Sequence, residues 1–249
     1  MMKNLAYLIL LLMSPLSWAQ DAFDKGNNFY EKENYEQAIQ QYELVLKQGK
    51  HSAELYFNLG NAYYKLNKTA PAIYNFEKAL LLNPGFSDAK NNLQFAQNRT
   101  IDDIKPVEKT GFNNWFNQIL ASHTYNGWAT IAVVLSIVFL LFFIGYYFTS
   151  KTWLKRTFFT LLLLSFIAMI VVVSLAFAEK SRFEKDRPAI VFQSVLVVKA
   201  EPKDNATDAF VIHEGTRVQI TEELKNWQKI QLADEKEGWV LKNAVKEIK

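Results

Sequence analysis

Residues able to do covalent or metal chemistry are scarce in this chain. It has 249 residues and no cysteine, which removes a thiol nucleophile, a disulfide framework and cysteine-ligated zinc or iron–sulfur centres. The three histidines, His51, His123 and His213, lie far apart in unrelated contexts. Neither a histidine metal site nor a Ser–His pair assembles from them. The sequence offers no carboxylate pair, phosphate loop or nucleophile motif. What it offers is recognition chemistry. An Asn–Tyr pair recurs, Asn27 with Tyr30 and Asn61 with Tyr64, and an asparagine amide both donates and accepts, so it can hold an extended backbone. Trp227 falls in an alternating stretch where it need not be buried, and an exposed indole makes a platform for carbohydrate or peptide. Trp239 is expected in the core, and His213 and Glu214 in a structural turn. These residues point to a non-catalytic binding protein without cofactor or metal.

The charge distribution sharpens this. The net charge is +3. Residues 20–109 carry 11 Lys and Arg against 12 Asp and Glu, and residues 179–249 carry 13 against 13. The excess therefore sits at Lys3, Lys151, Lys155 and Arg156, beside hydrophobic segments. No basic face is implied, which argues against nucleic acid as a partner.

Three apolar blocks position everything else. The first reads as a signal peptide over 1–19: Lys3 supplies the positive region, Leu5–Met13 is too short to span a bilayer, and Ser17-Trp18-Ala19 puts small residues at the cleavage positions. An uncleaved anchor is the other reading. The blocks at 127–148 and 157–178 are each 22 residues without a charge, about 33 Å of helix and enough for one hydrocarbon core. Trp128, Tyr146, Tyr147 and Trp153 fit an interfacial belt. The loop at 149–156 is too short for anything but a helical hairpin. Its three cations place it in the cytoplasm by the positive-inside rule. Export by the signal peptide independently places the N-terminal segment on the opposite side. The expectation is a two-pass bacterial inner-membrane protein with both terminal domains periplasmic. Neither span holds an ionisable residue, so no ion path is expected.

Just before the first span, Phe112, Trp115, Phe116, Ile119 and Leu120 share one helix face. Residues 112–122 therefore read as a helix lying in the bilayer interface, or packed on the preceding domain. Residues 99–111 read as a linker.

Residues 20–98 repeat with a period of 34. Gly26 matches Gly60, Asn27 Asn61, Tyr30 Tyr64, Ala38 Ala72, Tyr42 Phe76 and Leu46 Leu80. With Tyr56, Leu59, Ala79 and Pro84 the second copy resembles the tetratricopeptide repeat. The first copy departs from it at Val45 and Lys50. Each copy reads as two antiparallel helices, with Gly26 or Gly60 where they cross. A further helix follows from about Ser87, its expected N-cap, to Asn98. The resemblance implies a groove lined by the first helix of each pair. Carried onto this chain, the groove positions are Asn27, Tyr30 and Glu31, then Asn61, Tyr64 and Lys65, then Asn91, Phe95 and Arg99. Ordinary solvated helix faces are the other reading. Only Lys65 and Arg99 are cationic among these nine, which argues against a clamp for a terminal carboxylate in this groove.

From 188 to 249 the period changes to that of strands, with five or six short β-rich runs and a Pro202–Asp208 loop. Phe210–Val218 with Gly215, Asn226–Ile230 and Gly238-Trp239-Val240 together resemble a bacterial SH3-like domain. That resemblance implies binding to protein or cell-wall material. The fold class is thus multi-domain: an α-solenoid of tetratricopeptide repeats, a two-helix transmembrane hairpin and a small SH3-like β-barrel. In this order the modules resemble the BatE family of the Bacteroidetes aerotolerance (Bat) operon. The resemblance implies an inner-membrane assembly with von Willebrand-type Bat proteins and a MoxR-type AAA+ ATPase. The expected function is a scaffold for an envelope-stress or aerotolerance complex. A peptidoglycan-binding tether or sensor that recruits a partner through its repeats is the alternative.

Overall fold

The computed structural model describes residues 22–105, 107 and 112–249. The expected signal peptide lies outside them. The chain divides into two compact units, one formed by residues up to 107 together with 187–249, the other by 108–186.

Among the described residues the first unit begins with five helices: α1 (residues 22–31), α2 (Tyr35–Lys47), α3 (Ala53–Lys65), α4 (Thr69–Leu82) and α5 (Ser87–Gln97). The Asn34 side chain caps α2 by accepting from Gln37 N–H, and Ser52 caps α3 by accepting from Leu55 N–H. Glu33 (φ 59°) and Asn67 (φ 58°) turn the chain at equivalent places of the two copies. Ser87 does not cap α5. It is the first helical residue, Phe86 precedes it, and no side chain caps that end. The helix crossings follow the pattern read from sequence: a Cβ on Gly60 would lie 2.6 Å from the Phe76 ring, and one on Gly26 would strike Tyr42. Only glycine permits those approaches.

Seven strands follow: β1 (Pro188–Val191), β2 (Val195–Lys199), β3 (Asp208–His213), β4 (Arg217–Leu224), β5 (Trp227–Gln231), β6 (Glu237–Leu241) and β7 (Val245–Glu247). They form one antiparallel sheet in the order β3-β2-β6-β5-β4-β1-β7. The sheet curls around a core of Val191, Leu196, Val198, Ile212, Val218, Ile220, Ile230 and Val240. The seventh strand, β7, escaped the sequence reading. It pairs Ala189 with Glu247 and Val191 with Val245, and Arg187 ties the region together with a bidentate bond to Glu247 (both 2.8 Å) and a bond to Glu223.

Helices and sheet are not independent modules. Ile190 of β1 and Ile248, just past β7, belong to the same buried cluster as Ala70, Ala72, Ile73 and Phe76 of α4. Both are essentially inaccessible to solvent. Tyr74 meets Phe192 edge-on with ring centres 5.9 Å apart. The reason lies in the side-chain alternation of β1. Ala189 and Val191 face the sheet's own core, which sends Ile190 out toward the helices. Much of the stretch expected to be a linker also lies against the sheet: Ile104 packs on its core, and Val107 N–H donates to Ala233 O.

Among its described residues the second unit has three helices: α6 (Phe112–Ala121), α7 (Tyr125–Phe148) and α8 (Thr152–Lys185). Thr124 caps α7 by accepting from Gly127 N–H. α7 and α8 are both long and apolar enough to cross a membrane. They pack as a hairpin, with Gly145 of α7 letting the Phe158 ring come close and Phe139 meeting Phe166. Their other faces leave Ile137, Leu141, Phe148, Leu164 and Ile170 exposed. α8 continues past the expected end of the span at residue 178 into Glu179–Lys185, a charged stretch in which Arg182 bonds Glu179 at 2.9 Å. On α6, Trp115 and Phe116 are exposed while Leu120 is buried, and its O accepts from Trp128 Nε1.

Candidate binding site

Eight of the nine groove positions sit on α1, α3 and α5, and Arg99 lies in the turn just past α5. Asn27 Oδ1 accepts from Tyr42 OH at 2.7 Å and from Asn58 Nδ2 at 3.0 Å. One repeat on, Asn61 Oδ1 accepts from Asn92 Nδ2 at 2.7 Å. The two asparagine oxygens therefore pin one first helix to the next. The partners Asn58 and Asn92 were missed, although they carry the same 34-residue spacing as Asn27 and Asn61; Asn91, named in place of Asn92, is exposed. Arg99 sits over Tyr64, its guanidinium carbon 3.6 Å from the ring centre. Its Nη1 donates to Tyr64 O and to Asn67 Oδ1, so the loop between α3 and α4 is tied to the end of α5. Tyr30 packs edge-on against Tyr35 at 5.3 Å. Glu31, Lys65 and Phe95 are exposed. The assembled surface offers an aromatic–guanidinium platform, two solvated charges and one exposed phenyl ring.

On the sheet, Trp227, Lys229 and Gln231 alternate with the buried Gln228 and Ile230. Trp239, expected in the core, is instead half-buried on the outer face, because Gly238 and Val240 take the inward positions of β6. A side chain larger than glycine at 238 would collide with Val198. Trp239 stands opposite Lys229 of β5 and Lys199 of β2. Those ammonium groups are matched by carboxylates: Lys229 meets Glu222 and Glu237, and Lys199 meets Asp208. Trp227 and Trp239 thus share one outer face with two ammonium groups paired to three carboxylates.

His213 serves the joint between helices and sheet. Asp102, after α5, accepts from His213 N–H at 2.6 Å, from His213 Nδ1 at 2.8 Å and from Thr216 Oγ1 at 2.5 Å. A carboxylate can only accept, so Nδ1 carries the proton. Burial alone would raise the Asp102 carboxyl, but the bonds from Thr216 and His213 outweigh it and hold the carboxyl below its ordinary range. A depressed folded-state pKa contributes stability that is complete above the unfolded value of 3.8 and lost as pH falls through the lower folded value. Asp102→Asn should therefore cost about 1–3 kcal/mol at neutral pH, and the gap to the parent should close in strong acid. Urea midpoints for both chains across that range test this; a gap independent of pH would refute it.

Among the described residues no group of three or more His, Asp or Glu is placed to hold a metal ion. Residues 53–86 match the tetratricopeptide repeat model, residues 26–67 a second model of that repeat, and residues 194–246 the bacterial SH3 domain model. Tetratricopeptide repeats and a bacterial SH3 domain are thus present. Among curated proteins, the Hsp70-Hsp90 organizing protein 3 of Arabidopsis thaliana is 28% identical over 80 residues, which is 31% of this chain and 14% of that protein. Among solved structures, YrrB, a TPR protein with an unusual peptide-binding site, aligns at 18% identity over 66% of this chain and 75% of its own, with a TM-score of 0.32. A superposition that loose fixes no residue correspondence.

Proposed function

We propose that the chain is a non-catalytic scaffold of the bacterial inner membrane. In this reading α7 and α8 form the anchor, and the unit of repeats and sheet faces the periplasm. It gathers partner proteins of an envelope-stress or aerotolerance complex, with von Willebrand-type Bat proteins and a MoxR-type ATPase as the expected partners. The observation that carries the proposal is the pairing of two binding modules in one unit with a hairpin whose apolar faces are exposed. One joined body presents two surfaces in a fixed relation, so two modest contacts can act together on one partner or bridge two.

Deleting the SH3-like domain is a poor test, because Ile190 and Ile248 complete the helical core. Point changes are better. Cells expressing tagged chain are cross-linked, membranes solubilised, and co-purifying proteins identified for the parent and for Tyr64→Ala/Arg99→Ala. Membrane proteins recovered with the parent and lost with the groove variant are the expected result. Protease added to intact spheroplasts should digest the tetratricopeptide and SH3-like segments, and protection of either would overturn the topology.

The match to a bacterial SH3 domain and the outward Trp227 and Trp239 support a second reading, a peptidoglycan tether. Co-sedimentation with purified sacculi that is lost in Trp227→Ala/Trp239→Ala, alongside no specific protein capture, would favour it.

A further inference from the structure

The sheet carries an apolar row on its outer face. Leu224 stands opposite Trp227, and Trp227 opposite Leu241. Cross-strand partners share a face, so the three side chains form one row over β4, β5 and β6. Leu224 and Leu241 are 47% and 41% exposed. The next row along the same strands is polar. It holds Glu222, Lys229 and Trp239, with Lys229 paired to Glu222 and Glu237. Polarity therefore changes along β5, and the apolar end is the hairpin turn at Lys225 and Asn226. Lys225 turns the chain with φ 54°. Among the described residues its ammonium has no hydrogen-bond or ion-pair partner.

The chain itself limits how far this row can lie from the membrane. Ala178 ends the uncharged apolar block, and α8 continues to Lys185, at most about 10 Å of further helix. Only Asp186 then precedes Arg187. The headgroup layer adds roughly 5–8 Å on each side of the hydrocarbon core. The chain thus enters the sheet near the outer limit of that layer. The Arg187 guanidinium bonds Glu223, which also accepts from Lys242 Nζ. Leu224 follows Glu223 in the chain, and Leu241 precedes Lys242. The apolar row therefore flanks the ionic cluster through which the chain arrives from α8.

We propose that Leu224, Trp227 and Leu241 dock into the interface of the bilayer that holds α7 and α8, with Lys225 at the level of the lipid phosphates. An indole suits that depth, with an apolar body and one polar N–H. Little intrinsic affinity is needed, because the anchor keeps the lipid surface at high effective concentration. Arg187 and Lys242 are matched by Glu223 and Glu247. Lys225 is left unpaired beside the row and favours anionic lipid. The inference rests on the reading of α7 and α8 as the membrane anchor, and not on which side of the membrane the sheet faces.

The test uses the full chain in lipid nanodiscs. It has no cysteine of its own, so one introduced cysteine carries an environment-sensitive fluorophore. Asn226→Cys reports the turn. Asn205→Cys, exposed in the loop between β2 and β3, is the control. Ile137→Cys, exposed on α7, reports the anchor. A lipid bearing a nitroxide near its glycerol should quench the Asn226 label several times more than the Asn205 label. Adding Leu224→Gln and Leu241→Gln should lower that quenching to the control level; both side chains are surface ones, so the fold is retained. In phosphatidylglycerol, Lys225→Gln should lower the docked-to-free ratio about fivefold, with little effect in phosphatidylcholine. Equal quenching at Asn226 and Asn205 overturns the docking, provided that a lipid with its nitroxide at the chain end quenches the Ile137 label. An unquenched Ile137 label overturns the anchor as well. A response of the Asn226 label to soluble peptidoglycan fragments, with none to lipid, would make the row a wall-binding surface instead.

Discussion

Replacing Ile190 by alanine is expected to lower the stability of the repeat–sheet unit by about 2–5 kcal/mol, a large share of what a domain possesses. Ile190 has no solvent exposure and lies among Ala70, Ala72, Ile73 and Phe76. Truncation removes its apolar contacts and leaves a void between two elements that cannot close without moving the β1 backbone. That backbone is fixed on both sides, by β4 and by β7. Val195→Ala is the control: Val195 is 58% exposed and should change stability by no more than about 0.5 kcal/mol. Urea unfolding of the full chain in micelles reads both. A cost near that of the control for Ile190→Ala would mean that the sheet does not complete the helical core.

The second large effect concerns the crossing of α3 and α4. Phe76→Ala should cost about 3–5 kcal/mol, since the ring is fully buried. Gly60→Ala should cost about 1–3 kcal/mol, because its methyl would lie 2.6 Å from that ring. Combined, they should cost less than the sum by at least about 0.5 kcal/mol. The alanine methyl then enters space that the ring has vacated. Strict additivity would show that Gly60 is required for some reason other than the approach of Phe76. The equivalent pair, Gly26 with Tyr42, is a less clean subject, since Tyr42 also donates to Asn27.

The helical period and the crossing glycines were legible because both obey local rules: a 34-residue repeat, and small residues where backbones meet. The apolar hairpin was legible for the same reason, composition over a helix length. The boundaries of α8 were not, since charge marks where a membrane segment stops and says little about where a helix does. Trp239 was misplaced because hydrophobicity alone favoured the core. The alternation set by Gly238 and Val240 carried the correct answer. Among the groove residues, Asn27 and Asn61 were recognised as special, yet their bonds to Asn58 and Asn92 give them a role within the array that no single helix reveals. The joint was invisible to sequence. Ile190 looks like any strand residue, and Asp102 like any linker carboxylate, until the fold brings them against α4 and His213.

That joint also bears on how the protein comes to be made. The stripe on α4 that includes Ile73 is completed by Ile190 and Ile248, which follow the entire apolar hairpin in the chain. During synthesis the repeats therefore emerge with an uncovered hydrophobic seam. They must wait for both spans to pass before the sheet arrives to seal it, a long-range closure of the kind that slows folding. Chains arrested after the hairpin would carry the open seam and invite aggregation or proteolysis. Arrival of β7 would thus close the seam, and closure of the joint becomes a condition for escaping that fate.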